Sequence, residues 1–151
     1  MASIAPTNSL DWLASAGLEP QVFEHLVVLE QRLWAEDSIE APLLELVRLR
    51  IAQLLDAPAD LDRRTPAAVD AGLDEAMVDE LSMWPTSPRF EERQRAVLSW
   101  TEQWVIDPEQ ITDDDAARLT TALTEKECAA LSTALAVFES LTRTRVALGM
   151  A

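Results

Sequence analysis

The sequence predicts an all-α protein, and three observations lead to that prediction. Glycine is rare, with 3 residues among 151. No segment alternates polar and apolar residues between turn signals, as the strands of a half-buried sheet do. Apolar residues instead recur at helical spacing after clear helix-start signals. Because 48% of the residues are hydrophobic, a chain of this length can also form a real core.

The first two predicted helices differ in how much of their surface is apolar. Pro20 stands at a first-turn position ahead of one apolar stripe, and this helix is predicted to run to about Ala35. The second begins near Pro42 and is apolar nearly all round up to Leu55, which is typical of a helix at the centre of a bundle. It is predicted to break within residues 56–60, because Pro58 disfavours helical backbone at the residue before it.

Five further helices follow from start and stop signals and bring the predicted total to about seven. A short helix begins at Thr65 and Pro66 and ends at Gly72, and Asp74 caps another that stops near Trp84. A long helix is predicted to start at Ser87 and Pro88 and to end before Pro108. A short helix starts at Thr112, ahead of three aspartates. The final helix starts at the capping box of Thr124 and Glu127 and runs towards Gly149.

Nothing in the composition divides the helical part of the chain. Since there is no repeat, low-complexity tract or linker, residues 19–151 are predicted to form a single domain and residues 1–18 an N-terminal extension. No apolar run approaches the roughly 20 residues that span a bilayer. Residues 1–8 have neither a positive region nor an apolar signal core. These features predict a cytoplasmic protein.

The charge balance indicates which partners the protein does not have. Lysine and arginine number 12 against 27 aspartates and glutamates, which gives a formal net charge of −15 and a sequence pI of about 4.2. Nucleic acids and anionic membranes are bound through clustered cations, whereas the arginines here are scattered among carboxylates. We therefore expect no nucleic-acid partner and no membrane partner for this acidic protein.

Several kinds of catalytic site lack the residues they need. His25 is the only histidine, so hydrolytic triads and multi-histidine metal sites are incomplete. Cys128 is the only cysteine, so one chain can form neither an internal disulfide nor a two-thiol redox centre. No glycine-rich phosphate loop is present. We expect no metal or cofactor, a surface or interface position for His25, and a small buried apolar role for Cys128.

Four polar residues, Glu45, Arg48, Arg50 and Gln53, interrupt the second helix, and the first two are the first candidates for a site. Glu45 and Arg48 lie three residues apart and can pair on one face. One interpretation is that they form a structural ion pair or a subunit contact. The other is that Glu45 is a desolvated carboxylate able to act as an acid or base. The charged run at residues 60–64, with Asp60 and Arg64, lies within a loop's reach of Glu45.

The tryptophans are numerous for this length, at 5 residues. Trp100 and Trp104 lie four residues apart on one predicted helix, and Trp84 ends another. Large aromatic residues at this spacing fill a core or a subunit interface. The alternative is that Trp84, Trp100 and Trp104 line a ligand pocket.

Several segments together resemble the AhpD-like and carboxymuconolactone decarboxylase superfamily over residues 20–150. They are ELVRLRIAQL at residues 45–54, WPTSPRF at 84–90, RAVL at 95–98 and RVAL at 145–148. The resemblance implies an all-α AhpD-like bundle that assembles with copies of itself as a homodimer, trimer or hexamer. The nearly all-round apolar second helix favours such assembly independently, because one short bundle can hardly cover it.

The redox members of this family carry Glu, eleven residues, Cys, two residues, Cys, three residues and His. Laid on this chain, the motif falls on Glu45, Ala57, Asp60 and Arg64. Peroxide reduction needs one thiolate to attack and a second thiol to resolve the sulfenic acid, and Ala57 offers no nucleophile. The resemblance therefore implies a degenerate site without thiol peroxidase activity.

Two hypotheses for function remain open at this stage. The decarboxylase members look like cofactor-independent acid–base enzymes, so the chain is expected to be a decarboxylase, lyase or isomerase acting on a small organic acid. Glu45 and Asp60 are the residues expected to move protons, and Arg48 or Arg64 the residue expected to hold an anionic group. The alternative is a non-catalytic binding or assembly protein that kept the fold and lost the redox site. Its small-molecule partner in either case is expected to be anionic or hydrophobic.

Overall fold

The computed structural model describes residues 20–149, without the side chains of residues 20, 22, 23 and 27. Within this range the backbone forms helices joined by turns and short irregular segments, and no strand occurs. The α-helices of the described residues are α1 (Pro20–Ala35), α2 (Ala41–Leu54), α3 (Pro58–Leu61), α4 (Pro66–Asp70), α5 (Glu75–Asp79), α6 (Glu92–Ile106), α7 (Asp113–Ala122) and α8 (Glu125–Ala147), and the 3-10 turns are Leu81–Met83 and Pro108–Gln110. The all-α prediction is confirmed.

Of the described residues, 20–36 belong to one compact unit and 37–149 to another. In the first unit, α1 carries the exposed His25 and also exposes Val28 and Leu29. The predicted extension over residues 1–18 lies outside the described residues, and the single domain over residues 19–151 stays a prediction. None of the helices within residues 20–149 is long and apolar enough to cross a membrane.

In the second unit, α2 is the central helix and packs against α6 and α8. Its apolar side chains are buried on every side, with Val47, Ile51 and Ala52 fully inaccessible. Apolar residues on all faces give a helix no side that prefers water, so the middle of α2, from Leu43 to Leu49, is buried on every face. The same burial takes Glu45 and Arg48 out of solvent, which positions the site described below.

The predicted break after α2 is confirmed, and one predicted helix start is wrong. The helix ends at Leu54, and Ala57, the residue before Pro58, has non-helical backbone. Pro58 then takes the first position of the one-turn helix α3, where its missing N–H costs nothing. The long helix α6 starts at Glu92, not at the predicted Ser87 and Pro88. Arg95 holds the preceding segment in a turn, since its guanidinium donates to the carbonyl oxygens of Trp84, Pro85, Ser87 and Phe90.

The predicted starts of the last two helices are confirmed. The hydroxyl of Thr112 accepts from the N–H of Asp115 and caps α7, and Thr124 and Glu127 form the same capping box at α8. Arg93 Nη2 also donates to Glu127 Oε1 at 2.8 Å and to Glu40 Oε2 at 3.0 Å. One arginine of α6 therefore ties the start of α8 to the residue that precedes α2.

Candidate functional site

A buried glutamate lies in the middle of α2. Glu45 is 0% exposed, and Arg48, one helical turn further on, faces it. Arg48 Nε donates to Glu45 Oε2 at 3.0 Å and Arg48 Nη2 to Oε1 at 2.6 Å. This is the two-pronged geometry in which a guanidinium binds a carboxylate most strongly. The predicted pair therefore forms, and it forms in the interior of the unit.

Thr65, the residue that precedes α4, completes the surroundings of Glu45. Its N–H donates to Oε1 at 3.0 Å and its hydroxyl to Oε2 at 2.8 Å. Each carboxylate oxygen thus accepts two hydrogen bonds from described residues. Burial raises the pKa of Glu45, but the hydrogen bonds and charge of Arg48 and the two bonds from Thr65 outweigh it, so the pKa lies below its usual value.

Arg48 also links α2 to the segment that follows it. Its Nη1 donates to the carbonyl oxygen of Asp60 at 3.0 Å and its Nη2 to that of Arg63 at 2.8 Å. The guanidinium therefore fixes the backbone of α3 and the next turn against the carboxylate of Glu45.

Asp60 is the second buried carboxylate, with 2% of its surface exposed. Arg63 Nη2 donates to its Oδ1 at 2.5 Å, and Arg145 of α8 donates to its Oδ2 from Nε at 3.1 Å and Nη2 at 2.5 Å. Thr142 lies one turn before Arg145, and its hydroxyl oxygen is 3.5 Å from Arg145 Nη2. The charged run at residues 60–64 is thus partly interior, contrary to what its composition suggests. We call the set Glu45, Arg48, Asp60, Arg63, Thr65 and Arg145 the ion-pair network.

Arg64 is not part of this network. Its Nε donates to the carboxylate of Glu75 at 3.1 and 3.2 Å, and its Nη1 donates to the carbonyl oxygens of Leu61 and Arg63. Glu75 is 58% exposed, so this pair lies at the surface. The structure brings Glu45, Arg48 and Asp60 together and turns the guanidinium of Arg64 to a different carboxylate.

The three tryptophans occupy three different environments. Trp84 is buried in a cluster with Leu46, Leu49, Leu81, Phe90 and Leu98, and its indole N–H donates to Glu102 at 2.6 Å. The indole N–H of Trp104 donates to Glu139 at 2.9 Å. That of Trp100 is buried without a partner in the described part of the chain. The interior position of Trp84 fits the predicted core role, and ligand binding by the three indoles stays a prediction.

The sequence reasoning missed Arg145 of the network on α8, the neighbouring Thr142, and Thr65 before α4. Thr142 and Arg145 continue the buried face of α8 that Leu131, Leu135 and Phe138 begin. Polar residues at core positions of an otherwise apolar helical stripe were the available signal. Thr65 was identified as a helix start. It also donates a hydrogen bond to Glu45, 20 residues earlier in the sequence, and no local sequence pattern predicts such a contact.

Thiol and metal chemistry find little support in the described residues. Cys128 is half-buried, and burial raises the pKa of its thiol, with Glu127 and Glu125 adding to the effect. A raised pKa keeps the thiol protonated and unreactive. Across residues 20–149 no three His, Cys, Asp or Glu side chains are arranged to hold a metal ion.

Two solved structures define the fold class. A protein of unknown function from Agrobacterium tumefaciens, described as a candidate antioxidant defence protein AhpD, has a TM-score of 0.75 at 20% identity, covering 91% of this chain and 94% of its own. The debrominase Bmp8, solved in complex with 2,3,4-tribromopyrrole, has a TM-score of 0.79 at 16% identity, covering 94% of this chain and 74% of its own. The chain has the AhpD-like helical fold.

The family follows from the sequence itself. The model of the carboxymuconolactone decarboxylase family matches residues 20–103, which is more than half of the chain, so the protein belongs to this family. The resemblance noted from the segments around Glu45 and Trp84 is therefore confirmed. No curated protein sequence matches the chain.

Proposed function

We propose that this member of the family is a non-catalytic binding or assembly protein without thiol peroxidase activity. The main observation in support is the hydrogen bonding of Glu45, whose two carboxylate oxygens accept four hydrogen bonds from Arg48 and Thr65. A general base needs an accessible oxygen and a pKa near the working pH. Glu45 has 0% exposure and a lowered pKa, so it acts as a fixed counter-charge.

The positions aligned with the redox motif support the same proposal. Ala57, aligned with the first cysteine, is fully buried and precedes α3. Asp60, aligned with the second, is held by two arginines, and Arg64, aligned with the histidine, pairs with Glu75. In this alignment, ion pairs that hold α3 and α8 together take the place of a dithiol.

A cofactor-independent acid–base enzyme acting on a small organic acid is the second candidate. It is favoured by the number of guanidinium groups near Asp60, because such groups stabilise the charge of a bound carboxylate or of a developing anion. Bmp8 is a debrominase with the same fold, so the fold is compatible with catalysis. On this hypothesis Glu45 and Asp60 would exchange protons with the substrate.

Two assays on the purified protein separate these proposals. The first follows consumption of an alkyl hydroperoxide with a dithiol reductant, and we expect no rate above that of the buffer. A rate that disappears in Cys128→Ser contradicts the absence of peroxidase activity. Cys128 lies outside the ion-pair network, so this variant keeps the fold.

The second assay tests acid–base catalysis. Small organic acids that co-purify with the protein are identified by mass spectrometry and returned to it in excess. We expect binding without conversion. Conversion that Glu45→Gln abolishes and the matched control Glu102→Gln retains would establish the enzyme, since Glu102 is also an arginine-paired carboxylate but belongs to a different pair with Arg50.

We further propose that the protein assembles with copies of itself. Several large apolar side chains are exposed in the second unit, and burying them against another copy would remove them from water; they are Val69, Met83, Ile106, Val146 and Leu148. Light scattering behind a sizing column should give a dimer, trimer or hexamer. A stable species of 16.7 kDa at micromolar concentration contradicts the proposal. The cytoplasmic location and the absence of nucleic-acid and membrane partners stay predictions from charge and composition.

A further inference from the structure

We draw no further inference here: the strongest candidate, the acidic surface cleft at the C-terminal end of α6 lined by Glu102, Gln103, Ile106, Asp107 and Gln110, carries nothing, because the unpartnered oxygen of Gln103 is itself buried and so closed to a ligand, and nothing in the described part of the chain shows what covers the exposed Ile106.

Discussion

Substituting Glu45 with glutamine tests whether the network is structural. Glu45→Gln is nearly isosteric but removes the charge, so Arg48 stays in the interior without the carboxylate that it contacts at 2.6 and 3.0 Å. The glutamine carbonyl can still accept from Thr65, whereas the amide group that replaces the other oxygen cannot accept a hydrogen bond. The variant therefore isolates the contribution of the buried charge pair.

The expected loss of stability follows from the burial of the pair. Removing one partner of a buried ion pair costs about 3–5 kcal/mol, because the other charge remains desolvated. Since one acceptor is kept, we expect a loss of about 3–4 kcal/mol. In a chain of this length about 1 kcal/mol corresponds to roughly 2–4 °C in Tm, so Tm should fall by roughly 6–16 °C.

Urea unfolding followed by circular dichroism measures this loss, and Glu92→Gln provides a control. Glu92 is 70% exposed and pairs with Arg118, which is 44% exposed, so the same chemical change should cost less than about 0.5 kcal/mol there. Adding Arg48→Met to Glu45→Gln should recover at least about 1 kcal/mol relative to additive losses. A loss below about 1 kcal/mol for Glu45→Gln would refute the structural role of the network.

Three further predictions concern other parts of the second unit. The hydrogen bonds of Thr124 and Arg93 lower the pKa of Glu127 from 4.5 to about 2. The stability that Glu127 contributes is therefore complete above pH 4.5 and is lost as the pH falls towards 2. Glu127→Gln should reduce the pH dependence of the free energy of unfolding between pH 4.5 and about pH 2. An unchanged pH dependence would contradict this contribution of Glu127. Arg145→Met leaves Asp60 with Arg63 as its ion-pair partner and should cost about 2–4 kcal/mol in urea unfolding, whereas a neutral effect would show that α8 does not depend on this pair. In the triple variant Ala57→Cys, Asp60→Cys, Arg64→His, the two cysteines lie three residues apart at α3 and should form a disulfide on mild oxidation. Arginines near position 60 should also favour its thiolate. Peptide mapping that finds both thiols free in a folded variant contradicts the alignment with the redox motif.

Most of the fold could be predicted because its signals are local. The capping boxes of Thr112 and Thr124 and the all-round apolar α2 depend on residues within one or two turns of each other. The start of α6 could not be predicted in this way. Ser87 and Pro88 are typical of a helix start, but Arg95 donates to Ser87 and Phe90 and keeps these residues in a turn. Such a contact depends on where a long side chain folds back, which local spacing does not determine.

The site was predicted where its partners are close in sequence. The pair of Glu45 and Arg48 follows from a spacing of three residues on one helix. The partner of Asp60 does not, because Arg145 lies 85 residues away and meets Asp60 only after α8 packs against α2. Arg64 was expected near Glu45 from proximity in the chain, yet Glu75 binds its guanidinium. Which of several neighbouring arginines enters the interior depends on tertiary packing.

The ionisation of Glu45 tests the central claim most directly. In a ¹³C NMR titration of its side-chain carboxyl carbon, the network predicts a midpoint below the ordinary value of 4.5, because Arg48 and Thr65 stabilise the charged form more than burial destabilises it. A midpoint above 4.5 would contradict the account, since it would mean that burial dominates and that Glu45 can hold and release a proton as an acid–base catalyst does.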